Sequence, residues 1–293
     1  MSQQLRLSDG RVLDYKISGA QDGFPLLWIH GTPGAYTVFS DLEGMCREKG
    51  VKLITMSRAG YGSSTRQRGR CIVDVVPDLK QLTEHLNIKR CFVAGWSGGG
   101  PHALACAAGL PGCVATLVIA GVGPWNAEDL DFLNGQGEDN VNEFNAALQG
   151  EGATRQFCEG ERPGMIKGDA SDLVAAMSSI LPDVDKKALL ENDTLGQFLV
   201  DNIREGLKVN SDGWIDDDLA FIQPWGFDLN EIKVPVLLYQ GSEDKMVPFA
   251  HGEWLAKHIP SEFCKAHLLQ GQGHISIVLG QLEAMLDGLL QYR

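Results

Sequence analysis

No run of apolar residues in the chain reaches the roughly 18–20 that span a bilayer, and the mean hydropathy is −0.09. The first twenty residues, MSQQLRLSDGRVLDYKISGA, lack the apolar stretch of a secretion signal, so neither a leader nor a membrane partner is expected. Basic residues are scarce. Against 38 Asp and Glu stand 25 Lys and Arg, a net charge of −13, and that balance argues against a nucleic-acid partner. The 7 cysteines are odd in number and none forms C-x-x-C. A disulfide framework is therefore not expected, and a reduced, cytoplasmic setting fits better. The sequon Asn192-Asp193-Thr194 then carries no meaning. Among the 7 histidines no His-Glu-x-x-His or other metal spacing occurs, so no catalytic metal is expected. The phosphate loops G-x-G-x-x-G and G-x-x-x-x-G-K-S/T are missing too, and no cofactor is expected.

What is present is an alternation of two patterns over 293 residues, a length that suits one large domain or a domain with an insert. Short apolar, β-branched runs read as strands: 25–29, 51–56, 91–95, 114–120, 234–239 and 266–269. Helix-length segments lie between them at 37–49, 72–86, 99–109, 249–258 and 275–292. That order implies βαβ units and a mainly parallel sheet. An N-terminal hairpin is expected from 5–7 and 11–17 across Ser8-Asp9-Gly10.

The alternation stops between Pro124 and Phe227. Helical stretches are expected there at 140–148, 171–180, 185–191 and 195–207, with Gly160-Glu161-Arg162-Pro163-Gly164 as loop punctuation. The chain thus divides into a first core part (1–123), a helical insert (124–227) and a second core part (228–293). The insert holds 21 acidic and 7 basic residues, whereas the remainder holds 17 and 18, so the excess charge sits on the insert. A solvated acidic surface is the plain expectation, and such a rim would favour neutral small molecules over anionic ones.

Gly95-Trp96-Ser97-Gly98-Gly99 is a G-x-S-x-G between an expected strand and an expected helix. This is the context in which a tight turn projects a serine hydroxyl from the sheet edge, and Gly95 and Gly99 leave room for strand and helix to cross. Trp96 belongs to the same turn. His30-Gly31-Thr32-Pro33-Gly34 follows the strand that ends at Ile29. Pro33 has no N–H, so Thr32 is the expected partner of Gly98 in holding a developing oxyanion, with His30 and Gly31 supporting the loop. A nucleophilic serine needs a base, and the base needs an orienting acid. His274, in Gly271-Gln272-Gly273-His274, and Asp244, in Gly241-Ser242-Glu243-Asp244, both follow strands at the edge where open α/β sheets build their sites. Glu243 competes with Asp244 for the acid role, since one residue of loop register exchanges them. Trp125, Phe144, Trp214 and Trp225 are expected pocket residues of the insert, with Phe132, Met177 and Phe198 as further contributors.

Taken together, HGTPG at 30–34, SRAGYGSS at 57–64, GWSGGG at 95–100, GSEDKMVP at 241–248 and GQGH at 271–274 resemble the α/β-hydrolase fold superfamily, lidded serine esterases and proline-iminopeptidase-like hydrolases in particular. The resemblance implies an eight-stranded, mostly parallel sheet flanked by helices, a helical lid inserted after the sixth strand, and a Ser97-Asp244-His274 triad. Two positions differ from iminopeptidase-like enzymes. Thr32 stands where they usually carry a second glycine, and the tryptophan precedes Ser97 rather than following it. The expected activity is hydrolysis of a small carboxylic ester, lactone or thioester through an acyl-enzyme. An amidase or aminopeptidase, a C–C hydrolase or lyase, and a small-molecule receptor that retains the triad are the alternatives. Monomer and homodimer both remain open.

Overall fold

The computed structural model describes residues 2–293. Strands β1 (Gln3–Arg6) and β2 (Val12–Gly19) form the antiparallel hairpin, and β2 also pairs antiparallel with β4 (Val51–Met56). From there the sheet is parallel through β3 (Phe24–Ile29), β5 (Cys91–Trp96), β6 (Cys113–Ile119), β7 (Val236–Gly241) and β8 (Cys264–Leu269). The eight strands lie in the order β1-β2-β4-β3-β5-β6-β7-β8.

These strands read as unbroken apolar runs because both faces of the sheet are covered. Along β3, Leu27 and Ile29 enter one apolar core, and Leu26 and Trp28 enter the other. In β5, Val93 and the pair Phe92 and Ala94 divide in the same way. Helices α2 (Val75–His85), α3 (Gly99–Gly109) and α10 (Phe249–His258) contribute Leu79, Leu104 and Leu255 to the first core. Helices α1 (Ser40–Glu48) and α11 (Ser276–Leu290) contribute Leu42 and Met285 to the second. Each such side chain stabilises by about 1.5–3 kcal/mol on full burial.

Between β6 and β7 come six helices: α4 (Glu138–Leu148), α5 (Glu151–Lys167), α6 (Ala170–Ala176), α7 (Asp183–Glu191), α8 (Asp193–Gly206) and α9 (Asp212–Phe221). Helices α5, α6, α8 and α9 share a third apolar cluster, in which Cys158, Leu173, Leu207 and Trp214 pack with Tyr61 of the core, whereas Phe144 of α4 joins the first core and Leu189 of α7 the second. No helix among the described residues is long and apolar enough to cross a membrane.

Two of these helices depart from the sequence expectation. The segment Gly160–Gly164 does not break the chain; it lies inside α5, with Pro163 in the helix interior. Its glycines at 152, 160 and 164 have open space where a Cβ would be, so they cost only helix propensity. Packing against α4, α8 and α9 outweighs that cost, helped by the Arg162 Nε–H bond to the Leu207 carbonyl at 2.8 Å. Helix α9 is the second surprise. Its run Asp216-Asp217-Asp218 reads as solvated, yet the three residues are 2%, 0% and 1% exposed. Smaller shifts have local causes. Helix α1 starts at Ser40 rather than Thr37, because Asn202 Nδ2–H donates to both the carbonyl and the hydroxyl of Thr37. The expected helix 171–180 ends at Ala176 and gives way to turns.

Continuity of α5 is testable at Gly160, which is exposed and clear of neighbours. Gly160→Ala is expected to raise unfolding free energy by about 0.5–1 kcal/mol in urea titration. A loss of stability would mean that the segment is not helical.

Candidate active site

Strand β5 passes into α3 through Ser97, whose φ of 56° lies in the left-handed region that residues with a side chain rarely adopt. The turn is closed by the Ser97 N–H bond to Ile119 O and the Gly100 N–H bond to Ser97 O, both 2.8 Å. A Cβ on Gly95 would strike the Gly99 carbonyl, and one on Gly99 would strike the Ile29 carbonyl. Strand, helix and the loop after β3 therefore meet at backbone distance, with Ser97 half-buried among them.

Loops after β7 and β8 bring Asp244 and His274 together. His274 Nδ1 lies 2.7 Å from Asp244 Oδ2, and the two residues are 2% and 4% exposed. Asp244 is fixed on every side: Oδ1 accepts the N–H groups of Met246 and Val247 at 2.8 Å, and Oδ2 also accepts Gln240 Nε2–H at 3.1 Å. Glu243, the alternative acid, is exposed, and its carboxylate meets Ser242 rather than His274. Trp96 stacks on the His274 ring at 5.9 Å and donates its indole N–H to the His274 carbonyl. Burial alone would lower the His274 pKa. The charge and hydrogen bond of Asp244, joined by Asp185, outweigh it and raise the pKa above that of a free imidazole. His274 and Ser97 line one cavity.

The other buried histidines are each tied to the backbone through at least one ring nitrogen. His30 accepts the Arg58 N–H on Nε2 at 3.0 Å and meets the Gly31 carbonyl through Nδ1 at 2.6 Å, and burial holds its pKa well below 6.5. His102 bonds the Gly98 carbonyl, and burial pushes its pKa down to about 3. His251 bridges Gly123 and Phe132, with its pKa pushed down to about 4, again chiefly by burial.

The HGTPG loop is gripped by a network that the sequence did not disclose. The Arg58 guanidinium donates to the carbonyls of His30 and Gly31, to Thr32 Oγ1 and to Asp217 Oδ2. Asp217, from α9, also receives the Thr32 hydroxyl at 2.6 Å, the Tyr61 hydroxyl at 2.7 Å and Arg70 at 2.5 Å. Burial would raise the Asp217 pKa, but the two guanidinium charges hold it well below the usual carboxylate range. Thr32 thereby comes to lie against Gly98, and among the described residues neither backbone N–H donates to a protein acceptor.

Two cavities meet at Ser97. One, of about 210 Å³, is lined by Gly98, Phe144 and Trp214 and by four carboxylates, Asp139, Glu143, Glu161 and Asp218; among the described residues neither Lys nor Arg lines it. Glu143 accepts the Trp214 indole N–H at 2.5 Å. Burial, then mutual repulsion, raises the pKa of Asp218, and burial raises that of Glu143. The other cavity, of about 80 Å³, is apolar, with Trp28, Phe198 and Ile203 facing His274. Of the expected pocket residues, Phe144, Trp214, Met177 and Phe198 line these cavities. Trp125 does not: it lies beside Phe144 and Phe132, 6.4 and 4.9 Å away, and lines neither cavity. Phe132 lines neither one and joins the first core. Trp225 is also displaced. Its carbonyl pairs with Val73 N–H and its ring with Phe227, where the insert rejoins the core.

The sheet order, the strained serine turn and the histidine–aspartate pair define an α/β-hydrolase architecture. A family model described as the alpha/beta hydrolase fold matches residues 25–281, and the chain belongs to that family. Hydrolysis is the activity class that this membership supports. A proline iminopeptidase of Arabidopsis thaliana is 32% identical over 45% of this chain and 35% of its own length. A probable proline iminopeptidase of Leptolyngbya boryana is 24% identical over 98% of this chain and 92% of its own. Among solved structures, the esterase EaEST of Exiguobacterium antarcticum superposes with a TM-score of 0.70 at 19% identity, covering 100% of this chain and 99% of that one.

Breaking the buried ion pair should be costly, because it leaves guanidinium charge without a partner. Asp217→Asn is expected to lower unfolding free energy by about 3–5 kcal/mol in urea titration. A loss below about 1 kcal/mol, the range of an exposed pair, would contradict the burial described.

Proposed function

We propose that the chain is a serine hydrolase that cleaves small carboxylic esters through an acyl-enzyme on Ser97, with lactones and thioesters within reach of the same parts. The observation that carries this reading is the His274–Asp244 bond on Nδ1, which leaves Nε2 of a buried imidazole free in the cavity that Ser97 lines. In this mechanism Ser97 Oγ attacks the carbonyl while His274 Nε2 takes its proton. Asp244 holds the tautomer and stabilises the imidazolium. The unused N–H groups of Thr32 and Gly98 receive the oxyanion, a role in which one donor is worth about 3–4 kcal/mol. His274 then protonates the leaving group and activates water for deacylation.

The two cavities give the substrate a direction. A leaving group must reach His274, so it occupies the apolar cavity of about 80 Å³. The acyl group then extends past Gly98 into the cavity of about 210 Å³. Four carboxylates and no cation line that cavity, so anionic acyl groups are disfavoured there and neutral ones accepted. The lid reading of 124–227 is part of this proposal, because α4, α5, α6 and α9 supply most of these walls.

A second reading has a specific observation behind it. The buried pair Glu143 and Asp218 carries carboxyl groups whose pKa values are raised. An ammonium group on the acyl side would take the place of the proton that such a pair retains. An aminoacyl amide would then be the substrate, in keeping with the iminopeptidases among the relatives.

The experiment compares kcat/KM for a neutral ester, a carboxylate-bearing ester of equal size and an aminoacyl arylamide, with Ser97→Ala as control. The neutral ester should exceed the anionic one by at least tenfold. Because the carboxylates line the cavity wall, the ratio should survive 0.5 M salt, where exposed charges are screened. Equal rates for both esters would sink the charge argument. Turnover by Ser97→Ala would sink the acyl-enzyme, and a dominant arylamide rate lost in Glu143→Gln would favour the second reading.

The raised pKa of His274 has a pH consequence. The neutral base forms only above that pKa, so kcat/KM should fall as pH drops, with a midpoint above the ordinary histidine value of about 6.5. Asp244→Asn should lower that midpoint and reduce kcat on the order of 10⁴-fold. A midpoint that stays in place would contradict the pairing.

A further inference from the structure

Helix α11 begins at Ser276, two residues beyond His274, with Ile275 at its N-cap. The first N–H groups of a helix have no partner within it, and when buried they need an acceptor from elsewhere. Here the acceptor comes from the insert. Asp185 Oδ2 accepts the His274 N–H at 2.8 Å, and Oδ1 accepts Ile275 N–H at 3.0 Å and Ser276 N–H at 2.9 Å. Asp185 is 0% exposed and sits in the first turn of α7, its own N–H bonded to the Pro182 carbonyl at 3.0 Å. A Cβ on Gly273 would collide with the Asp185 carboxyl group. The turn closes with Gly273 N–H on Ser276 Oγ at 2.8 Å. One carboxylate thus binds three consecutive N–H groups, in a loop whose residue 273 has no side chain to obstruct it.

We propose that Asp185 is a positioning residue for His274, delivered by the insert, so that the base is aligned only when α7 is seated on the core. The proposal rests on the reading of His274 as the catalytic base. Its geometry separates the two jobs that carboxylates do for this histidine. Asp244 holds the ring at Nδ1, whereas Asp185 holds the backbone from which the ring projects. With both in place, rotation of the ring and displacement of the loop are each opposed by a charge-assisted hydrogen bond. Seating of the insert also closes the cavities over Ser97, so one movement would assemble the pocket and align the base.

Asp185 and Asp244 are the charged groups whose fields raise the His274 pKa, and His274 and Asp244 are those that act on Asp185. Removing the Asp185 charge therefore lets the His274 pKa fall. An Asn at 185 keeps one oxygen acceptor and loses the charge; an Ala loses all three bonds.

The test uses the full chain and a neutral activated ester, with Asp185→Asn, Asp185→Ala and Asp244→Asn measured side by side for kcat, KM and the pH profile. A misaligned catalytic group costs on the order of 10²-fold. Asp185→Ala should therefore lose about that factor in kcat, with KM changed less than threefold. Asp185→Asn should lose less, and its acid limb should shift to lower pH. If Asp185→Ala does not fold, Asp185→Asn carries the test through the shift of its acid limb. An Asp185→Asn acid limb that coincides with wild type, while Asp244→Asn loses its rate, would overturn the positioning role alone. An Asp244→Asn variant with undiminished kcat would overturn the base reading on which the proposal rests.

Discussion

The buried pairing of Asp217 with Arg58 and Arg70 ties the insert to the loop beside Ser97. A carboxylate with 0% exposure is stable as an ion only if its partners come with it. Those partners lie in the segment after β4, and the same Arg58 reaches the carbonyls of the HGTPG loop. The ion pair therefore does two things at once. It seats α9 in one register on the core, and it holds Thr32 against Gly98. A different seating of the insert would strand two guanidinium groups and a carboxylate in an apolar interior.

The surroundings of two further buried acids of the insert, Asp218 and Asp185, follow from how its helices are seated. With α9 in place, Asp218, about 100° round the helix from Asp217, comes to lie next to Glu143 and Cys158 rather than a cation. With α7 in place, Asp185 reaches the start of α11. Three buried carboxylates of one insert thus meet three different environments: two guanidinium groups, a second acid, and a row of backbone N–H groups. Their proton affinities diverge accordingly, with Asp217 lowered and Asp218 raised. The strained turn at Ser97, the His274–Asp244 pair and the HGTPG loop all belong to the core, whereas α4, α5, α6 and α9 of the insert supply much of the wall of the larger cavity.

The core was legible from its residues because local and global demands agree there. Apolar runs such as 51–56 coincide with a strand buried on both faces, and Gly95 and Gly99 declare a close crossing that only glycine permits. The insert was less legible, for physical reasons that differ from place to place. Gly160 and Pro163 speak for a loop, and only packing from the neighbouring helices α4, α6, α8 and α9 overrules them. The run Asp216–Asp218 speaks for solvent, because partners such as Arg58 lie more than 150 residues away in sequence. The choice between Asp244 and Glu243 turned on one residue of loop register, which the two N–H bonds from Met246 and Val247 decide. Trp125 and Trp225 could not be sorted from Trp214 by composition, since all three are aromatic residues of the same insert. Asp185 gave no local sign at all: its partners are backbone groups 89 to 91 residues further along.

The proposed chemistry stands or falls on acylation of Ser97. Mixing the protein with excess activated ester at a pH where deacylation is slow, quenching with acid within milliseconds and mapping peptides by mass spectrometry tests it directly. One acyl group per chain is expected, on the peptide that carries Ser97, formed at least as fast as steady-state turnover. Turnover without an adduct on that peptide, or an adduct confined to another residue such as Ser63 or Ser64, would contradict it.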